Sequence, residues 1–279
     1  MRDARVASGT LTEALSAWGT LRVVRPLGGG NRGGAVLVHG TTPQSGSGAG
    51  LFVAKPTTRA ADAVVWAARI QRHARDAGFE VPAYRRSRHG RFVEGGFTLE
   101  AYVEGRPSTM AERAAALRDL SAFHEITRGM RQRPGFAGSA ALLRRSRGGD
   151  VDLRAMPADL VHLAREAWRP FASRPTVAVH GDLNADNVLA TPAGRLALID
   201  WDECRLDASV FDEAVWLGAD RDARAWAGAA SASGVEPDAT AVQRAVLAWE
   251  VAACWTAEPE HAFRLAERLR GGDAAGESR

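Results

Sequence analysis

The chain has 279 residues, 46% hydrophobic and 25% charged. That is globular composition for one or two domains and excludes collagen, coiled coil and extended disorder. The net charge of +3 invites a nucleic-acid partner, but all except one of the 36 basic residues are arginine, a pattern of codon bias. The clusters around Arg85, Arg86, Arg88 and Arg91, and around Arg144, Arg145 and Arg147, lack aromatic platforms, so they read as solvated faces and no nucleic acid is expected.

In chain order, Met1–Arg5 leads into polar sequence rather than an export signal, and no apolar run nears the ~20 residues of a membrane span. Cys204 and Cys254 are then expected as reduced thiols of a cytoplasmic protein. Strand-like Leu21–Val24 and Ala35–Val38 flank Pro26-Leu27-Gly28-Gly29-Gly30-Asn31-Arg32-Gly33-Gly34. Backbone N–H groups in such a loop, at Gly29, Gly30 and Asn31, suit close approach to a phosphate, though the spacing is neither a Walker loop nor a Rossmann fingerprint. A second glycine-rich stretch, residues 41–50, reads as a surface hairpin.

Leu51-Phe52-Val53-Ala54-Lys55 reads as a buried strand ending in the one lysine of the chain. A compact ammonium fits where a planar guanidinium does not. A helix is predicted over 60–77, stopped by Gly78. Its spacing puts Val64, Ala67, Ala68, Gln71 and Ala74 on one face. The helix holds no glutamate, so Gln71, ahead of Asp62, is the expected partner of Lys55. Strands are expected near Tyr84–Arg88 and Phe92–Val103. Helices follow over 110–127, 157–172, 207–218, 220–233, 238–256 and 259–270, with a disordered tail at 271–279.

The strongest signal is Val177-Ala178-Val179-His180-Gly181-Asp182-Leu183-Asn184-Ala185-Asp186-Asn187-Val188-Leu189, followed by Leu196-Ala197-Leu198-Ile199-Asp200-Trp201-Asp202. Asp182 and Asn187 share one tight loop, and Asp200 ends a β-like run after a turn at Thr191–Gly194. Two carboxylates and a carboxamide are hard oxygen ligands that suit Mg²⁺ completed by substrate phosphates.

With Phe52–Lys55 upstream and Leu120-Ser121-Ala122-Phe123-His124 between, these motifs resemble the aminoglycoside phosphotransferase and choline kinase-like superfamily, relatives of the protein kinases. The resemblance covers roughly residues 20 to 255. It implies an α+β bilobal protein-kinase-like fold: a β-rich nucleotide lobe over 1–103 and a mainly helical catalytic lobe over 104–270. Implied roles are Asp182 as catalytic aspartate, Asn187 and Asp200 as Mg²⁺ ligands, and Lys55 on the α- and β-phosphates of ATP or GTP. Thr98–Gly105, through Glu100 and Tyr102, would be the hinge whose backbone pairs with adenine. Asp212 would brace the catalytic loop, as would His180, and Asp202 is either an auxiliary metal group or a surface acid.

The expected activity is phosphoryl transfer to a small-molecule hydroxyl, by a monomer or weak dimer. A non-catalytic pseudokinase and a kinase of protein-bound sugar adducts are the alternatives. Between His180 and Glu213 the sequence holds eight acids against two arginines, either solvated acids or an attraction for an amine-bearing acceptor. Trp249 with Glu250 reads either as core or as a cation site.

Overall fold

The computed structural model describes residues 8–28, 34–44, 48–218 and 238–271. Gly29, Gly30, Asn31, the 220–233 helix and residues 272–279 lie outside the described residues.

After a short helix, α1 (Ser8–Leu15), three strands follow: β1 (Thr20–Pro26), β2 (Val36–Thr41) and β3 (Gly50–Pro56). Helix α2 (Ala61–Asp76) then leads, through a long connection, to β4 (Val93–Glu94) and β5 (Phe97–Ala101). These strands form one antiparallel sheet in the order β1-β2-β3-β5-β4. The β3–β5 register sets Val53 opposite Glu100 and Lys55 opposite Thr98. The expected strand at Tyr84–Arg88 is reduced to a single bridge, Tyr84 with Glu100, because beyond it the Ser87 N–H donates to Arg91 O and the Arg88 N–H to Ala17 O rather than to β5.

The predicted α2 face is buried at Val64, Ala67, Gln71 and Ala74, joined by Ala63 and Ile70. Residues 98–101, where the expected strand and the expected hinge overlap, are strand, so the crossing begins only after Ala101. It passes through β6 (Arg106–Pro107) into α3 (Met110–Ala115), whose Thr109 and Glu112 form a reciprocal cap, and α4 (Leu117–Ile126). The single helix expected over 110–127 is therefore two, broken at Ala116.

Helix α5 (Ser139–Leu142) and the hairpin of β7 (Arg147–Gly148) and β8 (Val151–Asp152) precede α6 (Ala158–Trp168). The catalytic hairpins lie between α6 and the last helices: β9 (Thr176–Val179), β10 (Val188–Ala190), β11 (Leu196–Leu198) and β12 (Arg205–Ala208). β9 pairs with β12 and β10 with β11, all antiparallel. Helices α7 (Val210–Trp216), α8 (Ala239–Cys254) and α9 (Pro259–Gly271) close the chain.

Two apolar clusters result. The smaller joins α1 to the sheet through Leu15, Trp18, Val38, Phe52 and Leu99. The larger runs from Ile70 of α2 through Phe123, Trp168, Trp201 and Trp216 to Leu265. Each fully buried Leu, Ile or Phe side chain there contributes about 1.5–3 kcal/mol of transfer free energy. Among the described residues no helix is long and apolar enough to cross a membrane, and both cysteines are free thiols.

Candidate active site

The loop from β9 to β10 carries Asp182. Asn184 Nδ2 donates to its Oδ1 at 2.8 Å and Asn187 Nδ2 donates to its Oδ2 at 2.7 Å. Both carboxylate oxygens are thus oriented from within the same loop. Asn187 Nδ2 also reaches the Asp182 carbonyl at 3.0 Å, so its amide nitrogen is committed and its oxygen is the group left to act as a ligand. Burial raises the Asp182 carboxyl to about 6; the charges of Asp200 and Glu250 push the same way, against the two asparagines.

Three groups fix the loop from outside. Asp212, buried on α7, accepts from the backbone N–H of His180 at 2.8 Å and of Gly181 at 2.9 Å, with His124 Nε2 at 3.2 Å. Burial works to raise the Asp212 carboxyl, yet these partners hold it below the ordinary carboxylate range. The expected bracing role of Asp212 follows directly from these bonds. His180 is fully buried against Trp201, with ring centroids 4.6 Å apart, and burial lowers its pKa, keeping it neutral. Gly181 stands at φ 89, and a Cβ there would lie 2.7 Å from Arg205 Nη1, so only glycine fits.

The third group escaped the sequence reading: Arg113, buried on α3, donates to Leu183 O at 3.1 Å and Asn184 O at 3.0 Å. Arg133 does the same for the second motif, donating to the carbonyls of Asp202 at 2.8 Å and Cys204 at 3.1 Å and to Ala63 O of α2 at 3.2 Å. In an arginine-rich chain nothing marks these two among the other arginines; only their burial does.

Asp200, two residues after β11, stands at φ 63, the one non-glycine residue among the described ones with a positive φ. Aspartate tolerates this left-handed conformation better than most residues, and such strain, about 1–3 kcal/mol, collects at functional positions. Its side chain is 39% exposed and its Oδ1 lies 3.0 Å from Lys55 Nζ. Among the described residues no three His, Cys, Asp or Glu side chains form a metal cage of their own. The Asp200 carboxylate and the Asn187 oxygen fit a hard cation that draws its remaining ligands from phosphate and water.

Lys55 corrects one expectation. Its partners are Asp200 and, at 3.7 Å, Glu100 Oε2. The expected pairing with Gln71 is not formed: Gln71 is buried, as the helical spacing predicts, but its Nε2 has no partner among the described residues. Asp62 Oδ1 instead accepts from the Ala63 backbone N–H at 2.8 Å. Burial works to lower the Lys55 pKa, and the carboxylates of Glu100, Asp200 and Asp202 overcome it and raise it. Asp202 therefore belongs to the electrostatic surroundings of Lys55 rather than to a remote surface.

Of the expected hinge residues, Glu100 lies in β5 and Tyr102 just after it. Glu100 is a strand residue with a buried side chain, and the Tyr102 N–H donates to Leu51 O at 3.1 Å, so that donor is taken. A cavity of about 630 Å³ borders Glu104, Gly105, Arg106 and the β10–β11 turn, and none of Lys55, Asp182, Asn187 or Asp200 lines it.

The acids counted between His180 and Glu213 also separate. Asp207 is buried and bonded to Arg205 at 3.0 Å, and Asp212 is spent on the loop. Trp249 is core, packed on Trp168 and Phe211 and covered by Arg205, 3.3 Å from its ring centroid. Glu250 is half exposed, with His261 Nε2 2.9 Å away.

An antiparallel sheet bearing Lys55, over a helical part whose loops bring Asp182, Asn187 and Asp200 together, defines a phosphotransferase of protein-kinase-like fold. The profile of the phosphotransferase enzyme family (APH) matches residues 23–245, and the chain belongs to that family of small-molecule kinases. No curated protein sequence matches significantly. Among solved structures, choline kinase LicA from Streptococcus pneumoniae aligns over 95% of this chain and 97% of its own, at 15% identity and TM-score 0.66. Amicoumacin kinase hAmiN, in complex with AMP-PNP, Ca²⁺ and Ami, aligns over 96% and 94% at 12% identity and TM-score 0.64. An aminoglycoside phosphotransferase from Alicyclobacillus acidocaldarius aligns over 94% and 92% at 19% identity and TM-score 0.54.

Proposed function

We propose that the chain transfers the γ-phosphoryl group of ATP or GTP to a hydroxyl of a small molecule, such as an amino alcohol, a sugar or an aminoglycoside-like antibiotic. The observation that carries this reading is the carboxylate of Asp182, fixed by Asn184 and Asn187 within the loop that also presents the Asn187 oxygen. Its pKa of about 6 lets it be ionised near neutrality and still accept a proton, the range in which a general base works best.

Asp182 orients the acceptor hydroxyl and takes its proton as the new O–P bond forms and the bond from the γ-phosphorus to the β,γ-bridging oxygen breaks, with ADP or GDP leaving. Lys55 pairs with the α- and β-phosphates. The Asn187 oxygen and the Asp200 carboxylate hold Mg²⁺, which when bound would neutralise charge on the phosphate oxygens. Loop bracing by Asp212 and Arg113 keeps Asp182 from drifting, which matters because such catalysis is mostly positioning and charge stabilisation.

The Glu250 charge is among those that raise the Asp182 pKa, and its half-exposed carboxylate, with His261 Nε2 2.9 Å away, offers a further anion to an acceptor that carries an ammonium. The test is ADP formation from MgATP over a panel of hydroxylated amines, sugars and aminoglycosides. An acceptor that raises ADP formation and emerges phosphorylated supports the reading. A panel in which wild type and Asp182→Asn form ADP at the same rate contradicts it.

A further inference from the structure

We propose that Glu100 is the positioning residue for Lys55, replacing an acid on helix α2, so that the lysine is set by the sheet alone. The inference rests on the kinase reading above. Opposite residues of an antiparallel pair, and residues two apart in a strand, share a face. Glu100 stands opposite Val53, two residues before Lys55, so the carboxylate and the ammonium point from adjacent strands to the same side. Glu100 Oε2 lies 3.7 Å from Lys55 Nζ, and the glutamate side chain is only 3% exposed.

The backbone around Glu100 is held on both edges. β3 flanks it on one side; on the other, Ala101 N–H donates to Ala83 O at 3.1 Å and Arg85 N–H to Leu99 O at 2.7 Å. Helix α2 supplies no carboxylate to Lys55: Asp62 is turned to its own helix start, Asp76 lies exposed on the last turn beside His73, and Gln71 is neutral. Asp200 is the nearer partner of Lys55, but its exposed carboxylate is also the proposed metal ligand. Glu100 has no metal to hold: its Oε1 has no hydrogen-bond partner among the described residues, and the Tyr84 hydroxyl is the other group that hydrogen-bonds its carboxylate. Burying a carboxylate this way is costly unless it is paired, and Lys55 is the cation it pairs with. A shift of α2 would therefore leave the lysine in place, unlike an arrangement in which the acid rides on the helix.

The test uses Glu100→Gln, Lys55→Met and the double variant, with affinities for MgADP and adenosine and steady-state kinetics for MgATP. Expected for Glu100→Gln is MgADP binding weaker by roughly 10- to 100-fold, with KM for ATP raised in step. Adenosine, which has no phosphate for Lys55, should change less than about twofold. In the Lys55→Met background the Glu100 substitution should add nothing. Equal losses for adenosine and MgADP, or losses that multiply in the double variant, overturn the assignment. If Glu100→Gln does not fold, Glu100→Asp, which keeps the charge but withdraws it, carries the same test: a smaller loss confined to MgADP supports the assignment, and no selective loss overturns it. Wild type that fails to bind MgADP overturns the kinase reading itself, whereas wild type that binds alongside unaffected variants overturns only the role of Glu100.

Discussion

The Asp212 carboxylate accepts a hydrogen bond from the His180 backbone N–H at 2.8 Å, tying helix α7 to the loop that carries Asp182. A second bond from the Gly181 N–H uses the other oxygen, and the His124 ring closes the group. A carboxylate with donors on both oxygens cannot be replaced by an amide without setting an N–H₂ against one of those donors.

Asp212→Asn should therefore destabilise the protein by about 2–4 kcal/mol and lower turnover even where the variant remains folded. Chemical denaturation gives the first quantity, and kcat at a temperature where the variant is folded gives the second. A variant of wild-type stability and rate would remove the brace.

Arg113→Ala should reduce kcat with little effect on KM for ATP. The guanidinium holds the Leu183 and Asn184 carbonyls, in the loop that carries Asp182. Two charge-assisted bonds are lost, so a decline of roughly 10- to 100-fold is expected. A matching rise in KM for ATP would mean that the arginine shapes the nucleotide site instead.

Glu250→Gln should extend activity to lower pH. Asp182 must be ionised to accept a proton, and the Glu250 charge is among the causes that raise its pKa. Removing that charge lowers the Asp182 pKa, so the acid limb of the pH–rate profile shifts down. Because Glu250 is half exposed and screened, the shift should be a few tenths of a pH unit. An unchanged acid limb would separate the two carboxylates.

The motifs at 180–187 and 199–202 were legible because phosphoryl transfer needs those residue types on one loop and at one strand end, close together in sequence. The lysine strand was legible through its apolar run and the rarity of lysine. What failed was long-range. Gln71 lies on the predicted face of α2, but whether that face meets Lys55 depends on how the helix sits against the sheet, which periodicity does not encode. Glu100 lies in the strand expected over Phe92–Val103, but that its side chain faces Lys55 follows from the register against β3, which sets it opposite Val53. The buried arginines 113 and 133 carry no local signal, since their partners are backbone carbonyls 68 to 71 residues away for Arg133 Nη1 and 70 and 71 away for Arg113.

Asp182→Asn also has a stability signature. The folded carboxyl at about 6 lies above its ordinary value near 3.8, so the fold favours the protonated form. That contribution is fully present below about pH 4 and is lost as pH rises through 6. The variant, which cannot ionise, lacks this pH dependence: it carries a pH-independent cost from setting its amide N–H₂ against the Asn184 or Asn187 donor, while its stability relative to wild type should rise by at most about 3 kcal/mol between pH 4 and 7. Melting temperatures of both proteins across that range test the sign, and a difference that shrinks with rising pH would contradict the buried-carboxylate account.

The most direct test of the central claim is the turnover of Asp182→Asn with an acceptor found in the panel, alongside its affinity for MgADP. The account predicts a turnover loss of roughly 10²–10⁴-fold with nucleotide affinity nearly intact. A variant that retains near-wild-type acceptor turnover would remove Asp182 from the chemistry.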